Sequence, residues 1–239
     1  KMSLQQLMRI EVTSVSKTPE KLTATASAVQ VITGEDIRRS GATTIPEALR
    51  LAANLQVAKV NASQWAISAR GFNNVLADKL LVLIDGRTVY TPLYAGVYWD
   101  VQNVLLEDVD RIEVISGPGG TLWGANAVNG VINIITKSAK ETKGLFVQGG
   151  AGNRTPWSGN LRYGGKIGEN MNYRVYGTGF KQAGTGLVKG PVANDDWTMG
   201  QGGFRFDWDA GRKDQFTLQS DFYDGFPNPD GSTPVVTIG

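Results

Sequence analysis

The residue types that carry most enzymatic and metal chemistry are missing or incomplete in this chain. Its 239 residues contain no cysteine and no histidine. That removes thiol nucleophiles, disulfides, zinc fingers, iron–sulfur clusters, imidazole-ligated metals and the Ser-His-Asp triad. Gly119-Gly-Thr-Leu-Trp-Gly124 has the glycine spacing of a phosphate-binding loop, but Ala125 and Asn126 stand where Lys and Ser/Thr must reach the phosphates and Mg²⁺. Its glycines are better explained as backbone permissiveness in a tight connection between strands. Asp207-Trp-Asp209-Ala-Gly211 opens like a calcium loop, yet Leu218 occupies the place of the closing acidic ligand, so a solvated strand end and turn is the better reading. Glu107-Asp108-Val-Asp110 and Asp195-Asp196 offer paired carboxylates for acid–base work, but no nucleophile or base accompanies them and such clusters more often cap turns. Asn61-Ala-Ser63 and Asn153-Arg-Thr155 match the glycosylation sequon, which matters only in a eukaryotic secretory protein.

What remains is recognition chemistry. Tyr90, Tyr94, Tyr98 and Trp99 place four large rings within ten residues that read as loop. Tyr and Trp pair an apolar face with a hydrogen-bonding tip, so such a loop either packs against its own domain or contacts a ligand. Both readings are open from the residues alone.

The elements that must position these residues change character along the chain. Five glycines lie in residues 1–116 and 25 in residues 117–239. Residues 1–25 are polar, with one β-branched stretch, Ile10-Glu-Val-Thr-Ser-Val15, that has no strand partner nearby and reads as a mobile arm. From 26 to about 140 the pattern is mixed α and β. Val29-Gln-Val-Ile32 reads as a strand, and Thr33-Gly-Glu-Asp36 has capping-box spacing for a helix that Gly41 closes. Thr44-Ile-Pro-Glu47 repeats the box, with Ile45, Leu49, Ala52 and Ala53 on one apolar face. Further strands are expected at 66–70, 80–84, 87–90, 111–115 and 131–136, with Asp85-Gly86 as a hairpin turn.

After about 143 the period becomes two. Phe204, Phe206 and Trp208 alternate with polar or small residues, and so do Phe216, Leu218, Ser220 and Phe222. Five strands are expected, at 144–152, 157–167, 171–182, 197–209 and 215–223, joined by tight turns at 168–170 and 210–214 and a long loop at 183–196. One face apolar and one polar fits a soluble β-sandwich or a transmembrane barrel. Strand length beyond the usual ~5–6 residues, aromatics at strand ends, and short turns segregated from the long loop favour the barrel.

In this order the segments resemble a TonB-dependent outer-membrane receptor. The resemblance rests on Ile10-Glu-Val-Thr-Ser-Val15, Val31-Ile-Thr-Gly-Glu-Asp-Ile37, Ile67-Ser-Ala-Arg-Gly-Phe72, Leu83-Ile-Asp-Gly86, Arg111-Ile-Glu-Val-Ile-Ser-Gly-Pro118 and the run from Leu122-Trp-Gly-Ala-Asn126 to Lys137. One departure is Ser116, where the family usually has Arg or Lys. The resemblance implies an α+β plug domain (26–140) after an N-terminal arm (1–25), followed by antiparallel transmembrane β-barrel strands (141–239), about five of an expected 22, so the chain reads as truncated. It implies that Glu11, Val12, Thr13, Ser14 and Val15 form a TonB box that adds as a strand to the TonB C-terminal domain. Plug apices at 72–78 and 90–99 would touch ligand, through Phe72, Asn73, Asn74, Tyr90, Leu93, Tyr94, Tyr98 and Trp99. Arg70, Arg111 and Glu113 would meet the barrel wall, with a salt bridge inside the plug as the equal alternative for Arg111 and Glu113.

The function this implies is active uptake of a scarce nutrient across the outer membrane of a Gram-negative bacterium. A ferric siderophore or another iron complex leads, with cobalamin, haem or an oligosaccharide as alternatives. Partners would be TonB with its inner-membrane energising complex, outer-membrane lipid and a small chelated ligand, with plug and arm facing the periplasm. No catalysis, resident metal or cofactor is expected, and any imported metal would arrive already chelated. A formal charge of +2 gives no reason to expect nucleic acid. The competing classes are a soluble periplasmic or surface binding module, and an enzyme using the acidic clusters.

Overall fold

The computed structural model describes residues 11–12, 20–21, 28–69, 71, 74–75, 79–93, 95–117, 123–124, 126–186, 194–211 and 214–227. The chain divides into two compact units, Lys1–Ala58 with Trp65–Thr136, and Lys59–Gln64 with Lys137–Gly239.

The first unit is built on a mixed sheet. Its strands are β3 (Ala28–Thr33), β6 (Leu80–Ile84), β7 (Arg87–Thr88), β8 (Val109–Ser116) and β9 (Gly130–Thr136), in the order β3-β8-β9-β6-β7. The β6–β9 pair is parallel and the other pairs are antiparallel. All five residues of β6 are buried. Leu80, Val82 and Ile84 belong to the larger apolar cluster and Leu81 and Leu83 to a smaller one. A strand covered on both faces has no reason to alternate, which is why Leu80-Leu-Val-Leu-Ile84 is apolar throughout. Ile32, Ile37, Ile45, Leu49, Ile112 and Ile134 complete much of the main core.

Two short helices follow β3, α1 (Gly34–Ser40) and α2 (Ile45–Leu49). Thr33 Oγ1 accepts the Asp36 N–H, the Asp36 carboxylate accepts the Thr33 N–H, and Gly41 ends α1 in the left-handed region at φ 71°. This is the capping box expected from the sequence. At α2 only half of the expected box forms: Thr44 caps Glu47, but the Glu47 carboxylate reaches Thr43 N–H and Thr43 Oγ1. Ala53, expected on the apolar face, is exposed because α2 ends at Leu49. Asp85 and Gly86 have φ of 49° and 81°, so the expected hairpin turn has positive φ at both central positions.

Three features depart from the expectation. Glu11–Val12 (β1) pairs antiparallel with Glu20–Lys21 (β2), and Val12 is fully buried, so the arm does have a strand partner. Leu55–Lys59 (β4) pairs with Trp65–Ala69 (β5), where the sequence pointed only to the second strand. A 3-10 turn at Leu106–Asp108 leads into β8.

The second unit holds five antiparallel strands in chain order, β10 (Gly144–Gly150), β11 (Trp157–Ile167), β12 (Met171–Gln182), β13 (Trp197–Asp209) and β14 (Gln215–Pro227). The register aligns Met171, Trp208 and Phe216, then Tyr173, Phe206 and Leu218, on one face. Leu145, Val147, Leu161, Tyr163, Ile167, Phe222 and Phe226 lie on that same face and are exposed. From Phe216 to Phe222 this face carries large apolar side chains interrupted only by Ser220, a stretch about 15 Å tall at steps of ~3.3 Å on a strand tilted ~35–45°, and Asp224 stands on the same face between Phe222 and Phe226. The opposite face is polar and cross-linked: Tyr176 Oη donates to Asp221 Oδ1 at 2.5 Å, Gln201 Nε2 donates to Tyr176 Oη at 2.7 Å, and Thr178 Oγ1 donates to Asn160 Oδ1 at 2.5 Å. This is an open five-stranded segment of a barrel wall. No helix among the described residues is long and apolar enough to cross a membrane, which says nothing about strands.

Candidate ligand and partner sites

The arm comes first. Within β1 the register is Glu11 opposite Lys21 and Val12 opposite Glu20. Val12 is fully buried, so this short pair is packed against the protein in this structure. Thr13, Ser14 and Val15 lie outside the described residues.

The aromatic loop after β7 folds back on itself. Thr91 N–H donates to Gly96 O at 2.9 Å, Gly96 N–H returns to Thr91 O at 3.4 Å, and Ala95 turns through φ 51°. The tip so formed holds Leu93 out at 96% exposure, which costs apolar hydration unless something covers it. Below the tip Val97 and Trp99 enter the main core, so the Trp99 ring packs inside the domain and supports the loop from beneath. Tyr90 and Tyr98 are half-buried and Asn74 is exposed. Arg70, Phe72, Asn73 and Tyr94 lie outside the described residues. Beside the base, burial pushes the Asp100 carboxyl above the ordinary carboxylate range, against the opposing backbone N–H groups of Asp100 and Val101.

Arg111 and Glu113 find each other within the first unit. Arg111 Nε lies 2.9 Å from the fully buried Glu113 Oε1, and Nη1 lies 2.6 Å from Asp110 Oδ2. Both carboxylates that Arg111 meets here stand on its own strand, β8. Asn54 Nδ2 donates to Ser116 Oγ, giving the residue that departs from the family pattern a local partner.

The remaining acidic motifs do structural work. Asp207, expected on a solvated strand end, is 4% exposed. Its carboxylate accepts from Ala139 N–H at 2.7 Å, Arg205 Nε at 3.0 Å and Thr217 Oγ1 at 2.8 Å, so it is a hydrogen-bond hub that sequence spacing did not single out. Asp195 accepts from Thr185 N–H, Thr185 Oγ1 and Ala62 N–H, while Asp196 pairs with Lys181 at 3.2 Å. Partial burial pushes the Asp195 carboxyl up, but those hydrogen bonds outweigh it and hold it below the usual carboxylate range. Asn61 Oδ1 accepts from Ser63 N–H and Gln64 N–H, so this Asn shapes a turn. Among the described residues no group of three or more acidic side chains is placed to hold a metal.

This combination of a mixed-sheet domain, an exposed loop tip and an amphipathic antiparallel wall has relatives. Residues 21–131 match the TonB-dependent receptor plug domain. The chain is 31% identical over 164 residues to the vitamin B12 transporter BtuB of Vibrio cholerae, covering 69% of this chain and 26% of that protein. It is 30% identical over 213 residues to the ferric enterobactin receptor of Pseudomonas aeruginosa, covering 79% and 26%. The structure of the pyoverdine outer-membrane receptor FpvA from Pseudomonas aeruginosa superposes with a TM-score of 0.73 at 18% identity, over 91% of this chain and 30% of that one. The chain spans about a quarter of the length of the curated relatives it matches. It belongs to the TonB-dependent receptors, as a plug domain followed by antiparallel barrel strands. These are outer-membrane proteins of Gram-negative bacteria, and the relatives above are named as transporters and receptors, not as enzymes.

Proposed function

We propose that the protein takes up a small chelated nutrient, foremost a ferric siderophore or other iron complex, through the outer membrane with energy supplied by TonB. The observation that carries this reading is the joining, in one chain, of a plug domain to an antiparallel wall with large apolar side chains exposed on one face and a hydrogen-bonded polar surface on the other. A wall of that kind needs lipid on one side and a filled or watery interior on the other.

In this mechanism the ligand meets the plug at the 90–99 tip, where Leu93 supplies apolar contact and Tyr90, Tyr94 and Tyr98 supply rings with hydrogen-bonding ends; Phe72, Asn73 and Asn74 are assigned to ligand contact as well. Trp99 sets the height of the tip from inside the core. TonB engages the main chain of residues 11–15 by strand addition, with plug and arm on the periplasmic side. Main-chain pairing tolerates side-chain variety, which suits a segment of ordinary composition such as Glu-Val-Thr-Ser-Val. Two of the relatives bear the names of a B12 transporter and a ferric enterobactin receptor, which supports a metal chelate as cargo. The absence of Cys and His from these 239 residues favours a cargo whose metal is already fully ligated.

The test is growth of a strain lacking the receptor, with and without the gene restored, on ferric catecholates, ferric hydroxamates, haem, cobalamin and oligosaccharides as limiting nutrients. Restoration on one iron chelate only is the expected result. Restoration on none, with the protein present in the outer membrane, rejects the reading.

A further inference from the structure

Two alanines on segments numbered before the wall have their backbones held by residues of β13 and its approach. Ala62 is 3% exposed; its N–H donates to Asp195 Oδ2 at 2.9 Å and its carbonyl accepts from Trp197 Nε1 at 3.1 Å. Ala139 is fully buried and its N–H donates to Asp207 Oδ2 at 2.7 Å, while the nearby Lys137 carbonyl accepts from Arg174 Nη1 at 3.0 Å. Both carboxylates are braced. Thr185 donates twice to Asp195, and Arg205 and Thr217 hold Asp207. The captured turns are preformed as well, one by Asn61 and the other by the Ser138–Glu141 hydrogen bonds at 2.9 and 2.7 Å.

Charge-assisted bonds to a backbone N–H are stronger than neutral ones, and a carboxylate fixed by other donors gives up little entropy in making them. The two anchors sit at opposite ends of one strand: Trp197 opens β13 and Asp207 lies near its close. Resting on the transport reading above, we propose that β13 is a two-ended anchor, with Asp195 and Asp207 as positioning residues that keep 59–64 and 137–142 fastened throughout a transport cycle. Force drawn through the arm then runs along residues ahead of 59 and passes to the wall at Ala62, so the chain between Ala62 and Ala139 stays closed on a single strand.

The test has two readouts in the intact receptor. Hydrogen exchange of peptides covering 59–64 and 137–142 should show the Ala62 and Ala139 amides protected, with Asp195→Ala and Asp207→Ala each speeding exchange at its own end by about 10- to 100-fold. The second readout joins Ala62→Cys to Asp195→Cys, and Ala139→Cys to Asp207→Cys, by reversible disulfides. Energised uptake of radiolabelled ferric enterobactin and cyanocobalamin is then compared before and after reduction. Equal uptake by oxidised and reduced receptor supports a permanent anchor. Uptake that stops on oxidation and returns on reduction overturns it, as do Ala62 and Ala139 amides that exchange at open-loop rates. A receptor that imports neither probe even when reduced counts against the transport reading, and amide exchange then decides the anchor alone.

Discussion

Asp85 and Thr136 tie the first turn of the β6–β7 hairpin to the last residue of β9. Asp85 Oδ1 accepts the Thr136 N–H and Oδ2 accepts the Thr136 Oγ1 proton, both at 2.8 Å. The turn requires positive φ at Asp85, which Asp tolerates better than most residues, and the carboxylate then points at the end of the parallel partner strand. Asp85→Ala should lower unfolding stability by roughly 2–3 kcal/mol, the scale of losing charge-assisted bonds to a partly buried partner. Denaturant titration of the detergent-solubilised receptor, with Asp85→Asn as an intermediate case, checks it.

The arm gives a second prediction. Proline at position 12 removes a main-chain donor and cannot join a ladder on that side. Val12→Pro should abolish energised uptake while ligand affinity at the cell surface stays at the parental value. Normal growth of this variant on the imported nutrient would remove residues 11–15 from the TonB-binding role.

The aromatic loop separates into a tip and a support, and substitution should separate them too. Leu93→Ala with Tyr98→Ala should weaken ligand binding by about tenfold or more, the effect of losing contacts worth upwards of ~1.4 kcal/mol, with little change in unfolding midpoint. Trp99→Ala should do the reverse at first order, lowering stability by roughly 3–5 kcal/mol through the cavity it leaves in the core. Isothermal titration and thermal unfolding on the same samples distinguish the two.

Two carboxyls make opposite contributions as pH changes. Asp195 is held below its ordinary value, so the stability it adds is complete above the unfolded Asp value near ~3.9 and disappears as pH falls below it. Asp100 is raised by burial, so the folded state binds its proton more tightly than the unfolded chain does. Its effect is most favourable below the unfolded value and is lost as pH rises through the folded one. Asp100→Asn should therefore raise the unfolding midpoint at neutral pH and flatten its fall between acid and neutral conditions, whereas Asp195→Asn should lower the neutral midpoint. Midpoints recorded from pH 4 to 8 give both signs.

Much of this architecture was legible in the residues. The period-two stretches placed β11, β12 and β13 at the bounds observed, because alternation of large apolar and polar side chains is the direct consequence of a wall with two unlike faces. Thr33, Asp36, Gly41 and Asp85-Gly86 were equally plain, since each meets a local backbone demand with a local side chain. What escaped were tertiary choices. Leu55–Lys59 has no strong strand signature and is a strand because Trp65–Ala69 pairs with it. Nothing local in Tyr90 to Trp99 distinguishes Leu93 at the tip from Trp99 in the core, and Asp207 looked like a solvated strand end because its partners at Ala139 and Thr217 are distant in sequence or on another strand. Glu11–Val12 pairs with Glu20–Lys21 across residues 13–19, and strands of two residues are too short for any periodicity to show.

Energised uptake of a chelated nutrient is measured most directly as the initial rate of accumulation of radiolabelled ferric siderophore in cells that differ only in TonB. Accumulation should proceed in TonB-containing cells and fall to the surface-bound level when TonB is deleted or the proton gradient is collapsed, with binding at low temperature unchanged. Accumulation at the same rate with and without TonB, or binding that itself disappears with TonB, would contradict it.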